Sequence, residues 1–285
     1  MPRLSPADRF ARPLKGLIVG QVQTLFNDRA RGERPVERRD DALFPPDSVA
    51  WRVHGDVTSM LVGGVSALML QMLHPAVLAG VWDHSGFRDD MQGRLRRTAR
   101  FIAVTTYGAP DDARDLLARV RRIHDHIGGT LPDGTPYRAN DPALLAWVHV
   151  SEVLSFLDSW IRYGEPAMRR TDQDRYVAEM ARIAGPLGVD PIPHTRAEAE
   201  AIRTAMRPQL RVDGRTRDVA GVLLGQPAPS IAARPFQAIT MQAAIDLLPG
   251  WARTMHGFEQ PGVGLPLLRA STFGVASTLR WAFRA

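Results

Sequence analysis

From Met60 to Val81 the chain reads MLVGGVSALMLQMLHPAVLAGV, a run that is apolar nearly all round a helical wheel and that no fold can leave against water. Such a helix has to be packed on every side, so other elements must surround it, and Gly63, Gly64 and Gly80 let them come close. The spacing predicts one long helix from Asp47 to about Trp82, of which this run is the second half. Pro75 removes an amide donor and clashes with the carbonyl of Gln71, so a kink is expected at His74.

Helical spacing and helix-start signals continue along the rest of the chain, and no stretch shows sustained alternation with β-branched residues. The expected fold is all-α. A second helix is expected over about Met91 to Tyr107, stopped by Gly108 and Pro110, and a third from Asp111 to Ile127, stopped by Gly128 and Gly129. LPDGTPYRAN, residues 131 to 140, is rich in turn formers and reads as a reverse turn or short hairpin. Asp141 then caps a helix with Pro142 in its first turn, running to about Tyr163. Further helices are expected at about Asp172 to Ile183, at Thr195 to Met206 behind a Thr195/Glu198 capping box, and in pieces from Arg217 onward, where Pro208, Pro227, Pro235, Pro249 and Pro266 stand at short intervals.

A chain of 285 residues with 45% hydrophobic content can bury a large core, and its 22 prolines and 24 glycines are spread rather than clustered. One domain over 1–285 is expected, with an N-terminal arm at about 1–45. Cysteine is absent, which removes thiolate metal sites, iron–sulfur clusters, disulfides and cysteine nucleophiles together. The net charge of +6 comes almost wholly from arginine spread over many helices, with Lys15 the one lysine and no aromatic ladder alongside, so no nucleic-acid partner is expected. The start of the chain lacks the compact apolar run of a signal peptide, and Gly, Ser, Gln and His interrupt the stretch from Leu61 to Val81. A cytoplasmic protein without stable membrane insertion is expected.

The helix of residues 111–127 places Ala113, Leu116, Leu117, Val120, Ile123, His124 and Ile127 on one face. At about 100° per residue His124 falls within about 20° of Leu117, whereas His126 lies roughly opposite among Arg119 and Arg122. His74, His84 and His149 also lie in or beside the most apolar helices, and His149 shares a face with Leu145, Val148, Glu152 and Phe156. Neutral imidazole binds iron, zinc or copper, yet a buried helical histidine can equally be a core residue satisfied by carbonyls or hydroxyls. Arg94, Arg97 and Thr98 share a face at i, i+3 and i+4 spacing. Two guanidinium groups and a hydroxyl suit a carboxylate, phosphate or oxygen species, or alternatively form a solvated surface paired with Asp89 or Asp90.

Taken in order, the Gly63-Gly64 helix ending in QMLHPAVLAGV, then HSGF, RLRRT, VRRIH and YRANDPALLAWVH, this run of segments between Trp51 and about Trp160 resembles the haem-dependent oxygenases related to latex-clearing protein (rubber oxygenase) and to the side-chain oxygenase of mycophenolic acid biosynthesis. The resemblance implies a globin-like helical core with additional C-terminal helices, holding haem b. His124 matches the family's proximal iron ligand, and Arg121, one turn before it, matches an arginine that could pair with a propionate. Thr98 and Arg94 match distal residues of the latex-clearing branch, whose distal lysine is replaced here by Arg97. Lysine can deprotonate and coordinate iron, whereas arginine, with a pKa above about 12, cannot. Asp83 or His84 could stand in for that branch's acid or base.

The resemblance implies an oxygenase acting on an alkene or another apolar, isoprenoid-like small molecule with dioxygen, with Arg97 and Thr98 hydrogen-bonding the oxygen and an electron donor as a further partner. Two alternatives stay open: a non-haem metal protein in which His74, His124 and His149 form a three-nitrogen site, and a haem-binding sensor without turnover.

Overall fold

In the computed structural model, which describes residues 12–13, 15–16, 18–20, 32–228, 230–259 and 262–283, the protein is a helical assembly. Most of the expected N-terminal arm lies outside the described residues; residues 32–48 run without helix and bury Phe44. Described residues 12–13, 15–16 and 18–20 are helical, and from residue 49 onward the α-helices are α1 (Val49–His54), α2 (Val57–Gln71), α3 (Pro75–His84), α4 (Met91–Tyr107), α5 (Pro110–Asp125), α6 (Pro142–Tyr163), α7 (Arg170–Leu187), α8 (Arg196–Met206), α9 (Gly214–Leu224), α10 (Arg234–Leu247), α11 (Gly250–His256) and α12 (Leu265–Phe283). The strands β1 (Gly128–Thr130) and β2 (Pro136–Arg138) pair antiparallel, Gly129 opposite Tyr137, and form the short hairpin expected of LPDGTPYRAN.

The single helix expected from Asp47 to Trp82 is three. Asp56 takes an extended conformation and its carboxylate accepts from the Ser59 amide, so the chain stops after α1 and restarts as α2. At the expected kink the helix does not bend but ends, and α3 leaves at 104° to α2. His74 is extended, as a residue before proline prefers, and its Nδ1 accepts from the Ala76 amide at 3.3 Å, capping α3 with Pro75 in its first turn. The Thr195 hydroxyl caps α8, and the Glu198 carboxylate reaches back to accept from the amide of His194 at 2.7 Å.

Helices α2 and α6 pack along their lengths, with α10 and α12 also on α2, and α8 and α7 on α6. A methyl group at Gly63 would stand 2.8 Å from a Phe156 ring carbon and 2.9 Å from the Ser155 carbonyl, so two backbones meet there. Two cores flank this pair: one joins Val62, Leu68, Met72, Trp147 and Tyr163 to α9, α10 and α11, the other joins Phe44, Val53, Val150, Leu154 and Phe156 to Tyr176 and Val177 of α7. Polar clamps fix the periphery. Both oxygens of Glu179 accept from the first amides of α1, and buried Asp246 holds Arg162 at 2.8 Å and Arg269 at 2.9 Å. By length and composition α6 could cross a membrane, but most of it is buried inside the fold.

Burial shifts His54, His149 and Glu152 far from their ordinary pKa values. His54 bonds Thr106 Oγ1 and Tyr176 Oη, each at 2.8 Å, and burial pushes it down to about 3. Burial pushes His149 down to about 4, and its Nε2 has no partner. Burial pushes Glu152 up to about 7, opposed by the amide it accepts from Gln71.

Gly63→Ala is expected to cost about 1–3 kcal/mol because backbone must move, while Gly64→Ala, whose new methyl meets only a ring carbon at 3.7 Å, should be neutral or gain up to about 1 kcal/mol; urea midpoints measure both. Between about pH 4.5 and 7 the folded state holds a proton on Glu152 that the unfolded chain has lost, so this residue's contribution to stability falls as pH rises. His54 and His149 work oppositely, adding stability as pH rises to 6.5. Glu152→Gln should therefore gain about 2–3 kcal/mol relative to the parent on going from pH 5 to pH 8, read from urea unfolding at both pH values.

Candidate functional site

Helices α4 and α5 are joined by only Gly108 and Ala109 and pack on each other, so they form an antiparallel hairpin. Arg94 and His124 stand equally far along the chain from Ala109, about 22 Å of helix on each side, so both lie toward the hairpin's open end. Arg97 and Thr98 sit one turn closer to the connection. Helix α3 closes in from a third direction: a Cβ on Gly80 would be 3.6 Å from Ile127, and His84 Nε2 meets the Gly128 carbonyl at 3.1 Å. The 104° turn after α2 is what aims α3 here.

His124 is half-buried, with a buried Nδ1 that has no partner, and burial lowers its pKa against a raising effect of Asp125. Its imidazole is therefore neutral at physiological pH, the form that ligates metals. His126 is exposed, and its Nδ1 meets the Arg122 carbonyl at 2.8 Å. The asymmetry expected from the helical wheel is present, although Ile123, placed on the apolar face, is 49% exposed.

Arg94 is half-buried. Desolvation, with Arg97 beside it, lowers its pKa, and no carboxylate among the described residues offsets this. Arg97 is exposed and paired to Asp90 at 3.5 Å, and the exposed Thr98 hydroxyl donates to the Arg94 carbonyl at 3.2 Å. For Arg97 the solvated ion pair is thus the observed arrangement. Arg121 turns to the end of α7, donating to the Pro186 carbonyl at 3.3 Å and lying against Gly188, whose φ of +89° favours glycine. Asp83 accepts from the buried Tyr137 hydroxyl at 3.0 Å.

The three-histidine site is not formed. Among the described residues no three histidine, aspartate or glutamate side chains converge to hold a metal ion. His74 has its Nδ1 on Ala76 and its Nε2 3.3 Å from Gln209, so capping and a side-chain bond use both nitrogens. His149 lies inside the α6 core face. Glu152 escaped notice as a titratable group, although its place on the apolar face with Leu145, His149 and Phe156 was the available signal. Two open clefts, of about 360 Å³ beside Gln237 and Met241 and about 560 Å³ beside Arg207 and Trp251, involve none of the predicted residues.

No curated protein and no solved structure matches the chain. The family model described as "ER-bound oxygenase mpaB/B'/Rubber oxygenase, catalytic domain" matches residues 51–281, which takes in every element from the end of α1's first turn to the last turn of α12. An oxidoreductase with a predominantly helical fold is what that match and the helices α1 to α12 describe, and the chain belongs to the mpaB/rubber oxygenase catalytic-domain family.

Proposed function

We propose that the protein is a single-domain, cytoplasmic, haem b-dependent oxygenase in which His124 is the iron's proximal ligand and an apolar, alkene-bearing small molecule is the substrate. The observation that carries this reading is the His124 ring at the open end of the α4–α5 hairpin, neutral and with a buried, unpartnered Nδ1. The donor set fits the group. A neutral imidazole suits the iron, and the desolvated Arg94 guanidinium on the neighbouring helix suits a porphyrin carboxylate, which would supply the missing counter-charge. Bound haem would supply the activation of dioxygen, with electrons from a donor protein or small reductant.

The chain's own residues then have separable tasks. His124 presents its neutral nitrogen. Arg94 orients an acidic group by a charge-assisted hydrogen bond. Arg97 and Thr98, on the same exposed face, are donors that stabilise negative charge developing on an oxygen atom, once Arg97 leaves Asp90 and Thr98 releases its own helix carbonyl. Being permanently charged, Arg97 acts through hydrogen bonds and charge and is no iron ligand. Arg121, engaged with α7, steadies the helix that carries His124.

Protein reconstituted with haemin is expected to show a Soret band that His124→Ala abolishes and His126→Ala leaves unchanged. Retention of full haem content by His124→Ala overturns the reading. Arg94→Leu should weaken haemin affinity about tenfold in a spectrophotometric titration, the worth of one charged hydrogen bond, without altering the far-ultraviolet circular dichroism.

A further inference from the structure

The cleft of about 360 Å³ between α9 and α10 is charged at one end and apolar at the other. Arg234, Gln237, Ala238, Met241 and Ile245 recur every three or four residues, so one stripe of α10 makes one wall. Leu224, the last residue of α9, and Gln226 just beyond it make the other. Ile245 is buried, Leu224 and Met241 are half-buried, and Arg234 and Ala238 are exposed. The stripe therefore runs about 16 Å from an exposed guanidinium to an apolar floor, the reach of a chain of roughly twelve carbons.

Arg234 is the one charged side chain that lines this cleft, and among the described residues it makes no hydrogen bond, ion pair or ring contact. It opens α10, whose first turn holds no acidic residue and whose N-cap, Ala233, offers no side-chain oxygen, so the positive end of the helix dipole adds to the guanidinium. The glutamines of the two walls are already tied down. Gln237 donates to the main-chain carbonyl of Gln226, and Gln226 Nε2 donates to the Val222 carbonyl at 2.8 Å, so the walls are held together without a ligand.

We propose that this cleft binds an amphipathic monocarboxylate, with its alkyl chain along Leu224, Met241 and Ile245 and its carboxylate on Arg234. The positive mouth selects an anion, and a planar guanidinium presents paired donors to the two oxygens of a carboxylate. A single cation suits a singly charged head. A small hydrophilic anion would leave the apolar floor in water, whereas an alkyl chain covers it. The larger cleft beside Trp251 lacks this arrangement, because its Arg207 guanidinium lies over the Trp251 ring, 5.0 Å from the centre.

Isothermal titration of the full chain with sodium laurate, kept below its micelle-forming concentration, should show one saturable site with a Kd in the micromolar range. Arg234→Gln should weaken it about tenfold, the worth of one charged hydrogen bond. Ala238→Trp, which fills the cleft from an exposed position, should remove it. Both variants should keep the parent's thermal melt, and Arg207→Gln, in the other cleft, should bind laurate as the parent does. Dodecyltrimethylammonium, the same chain length with a cationic head, should bind about tenfold more weakly or not at all. The titration needs no haem, so its outcome is separate from that of the haemin experiment. No saturable site, equal affinity for the two heads, or laurate binding unchanged by Arg234→Gln or by Ala238→Trp overturns the proposal.

Discussion

The contact between the backbones of α2 and α6 at Gly63 is the constraint on which the other elements depend. Trp147 Nε1 donates to the Gln71 carbonyl, and Gly63 meets Ser155 and Phe156, so the two helices run antiparallel in a defined register. That register puts Ser66 level with Ser151, and Thr58 level with Ser159. All four hydroxyls are buried and without partners. Each such hydroxyl costs about 1–3 kcal/mol, so the seam persists because small side chains let dispersion act between backbones and because large apolar residues flank it on both sides. Leucine at these positions would bury more surface but force the helices apart.

Fixing α6 against α2 fixes the distant helices in turn. The end of α6 presents Arg162 to Asp246 of α10, and the Tyr163 carbonyl accepts from Arg280 of α12 at 2.6 Å, while Arg280 also holds Asp56 ahead of α2. At the other end of α2, the His74-Pro75 turn redirects the chain by 104° and sends α3 across the α4–α5 hairpin. The residues that meet around His124 thus come from α3, α4 and α5. Their common origin is the place where α2 is forced to stop.

Much of this was legible because it is local. Asp141 with Pro142, the stop at Gly108 and the separation of His124 from His126 depend on neighbours within a turn or two, and they appear as expected, although Pro110, read as part of that stop, is the first residue of α5. What sequence reading missed spans distance. The break at Asp56 interrupts an apolar pattern that continues on both sides of it, and the residue that justifies a buried carboxylate there is Arg280, 224 positions away. Arg121, which looks unengaged on a helical wheel, has one guanidinium nitrogen on the Pro186 carbonyl at the end of α7, 65 positions away. His74 looks like a ligand for the same reason, and it is a cap.

The electrostatics of the hairpin's open end follow from which of its groups are paired. Arg97 has Asp90, Arg121 has a helix end, and Asp83 has Tyr137. Arg94 is left desolvated with another cation for a neighbour, and His124, one helix across, is neutral and contributes no counter-charge. The Asp90 carboxylate at the N-cap of α4 complements the helix's N-terminal end and pairs with Arg97, not with Arg94. The haem proposed above would bring an iron for a neutral nitrogen and carboxylates for a cation together, where a bare metal ion would bring only the first.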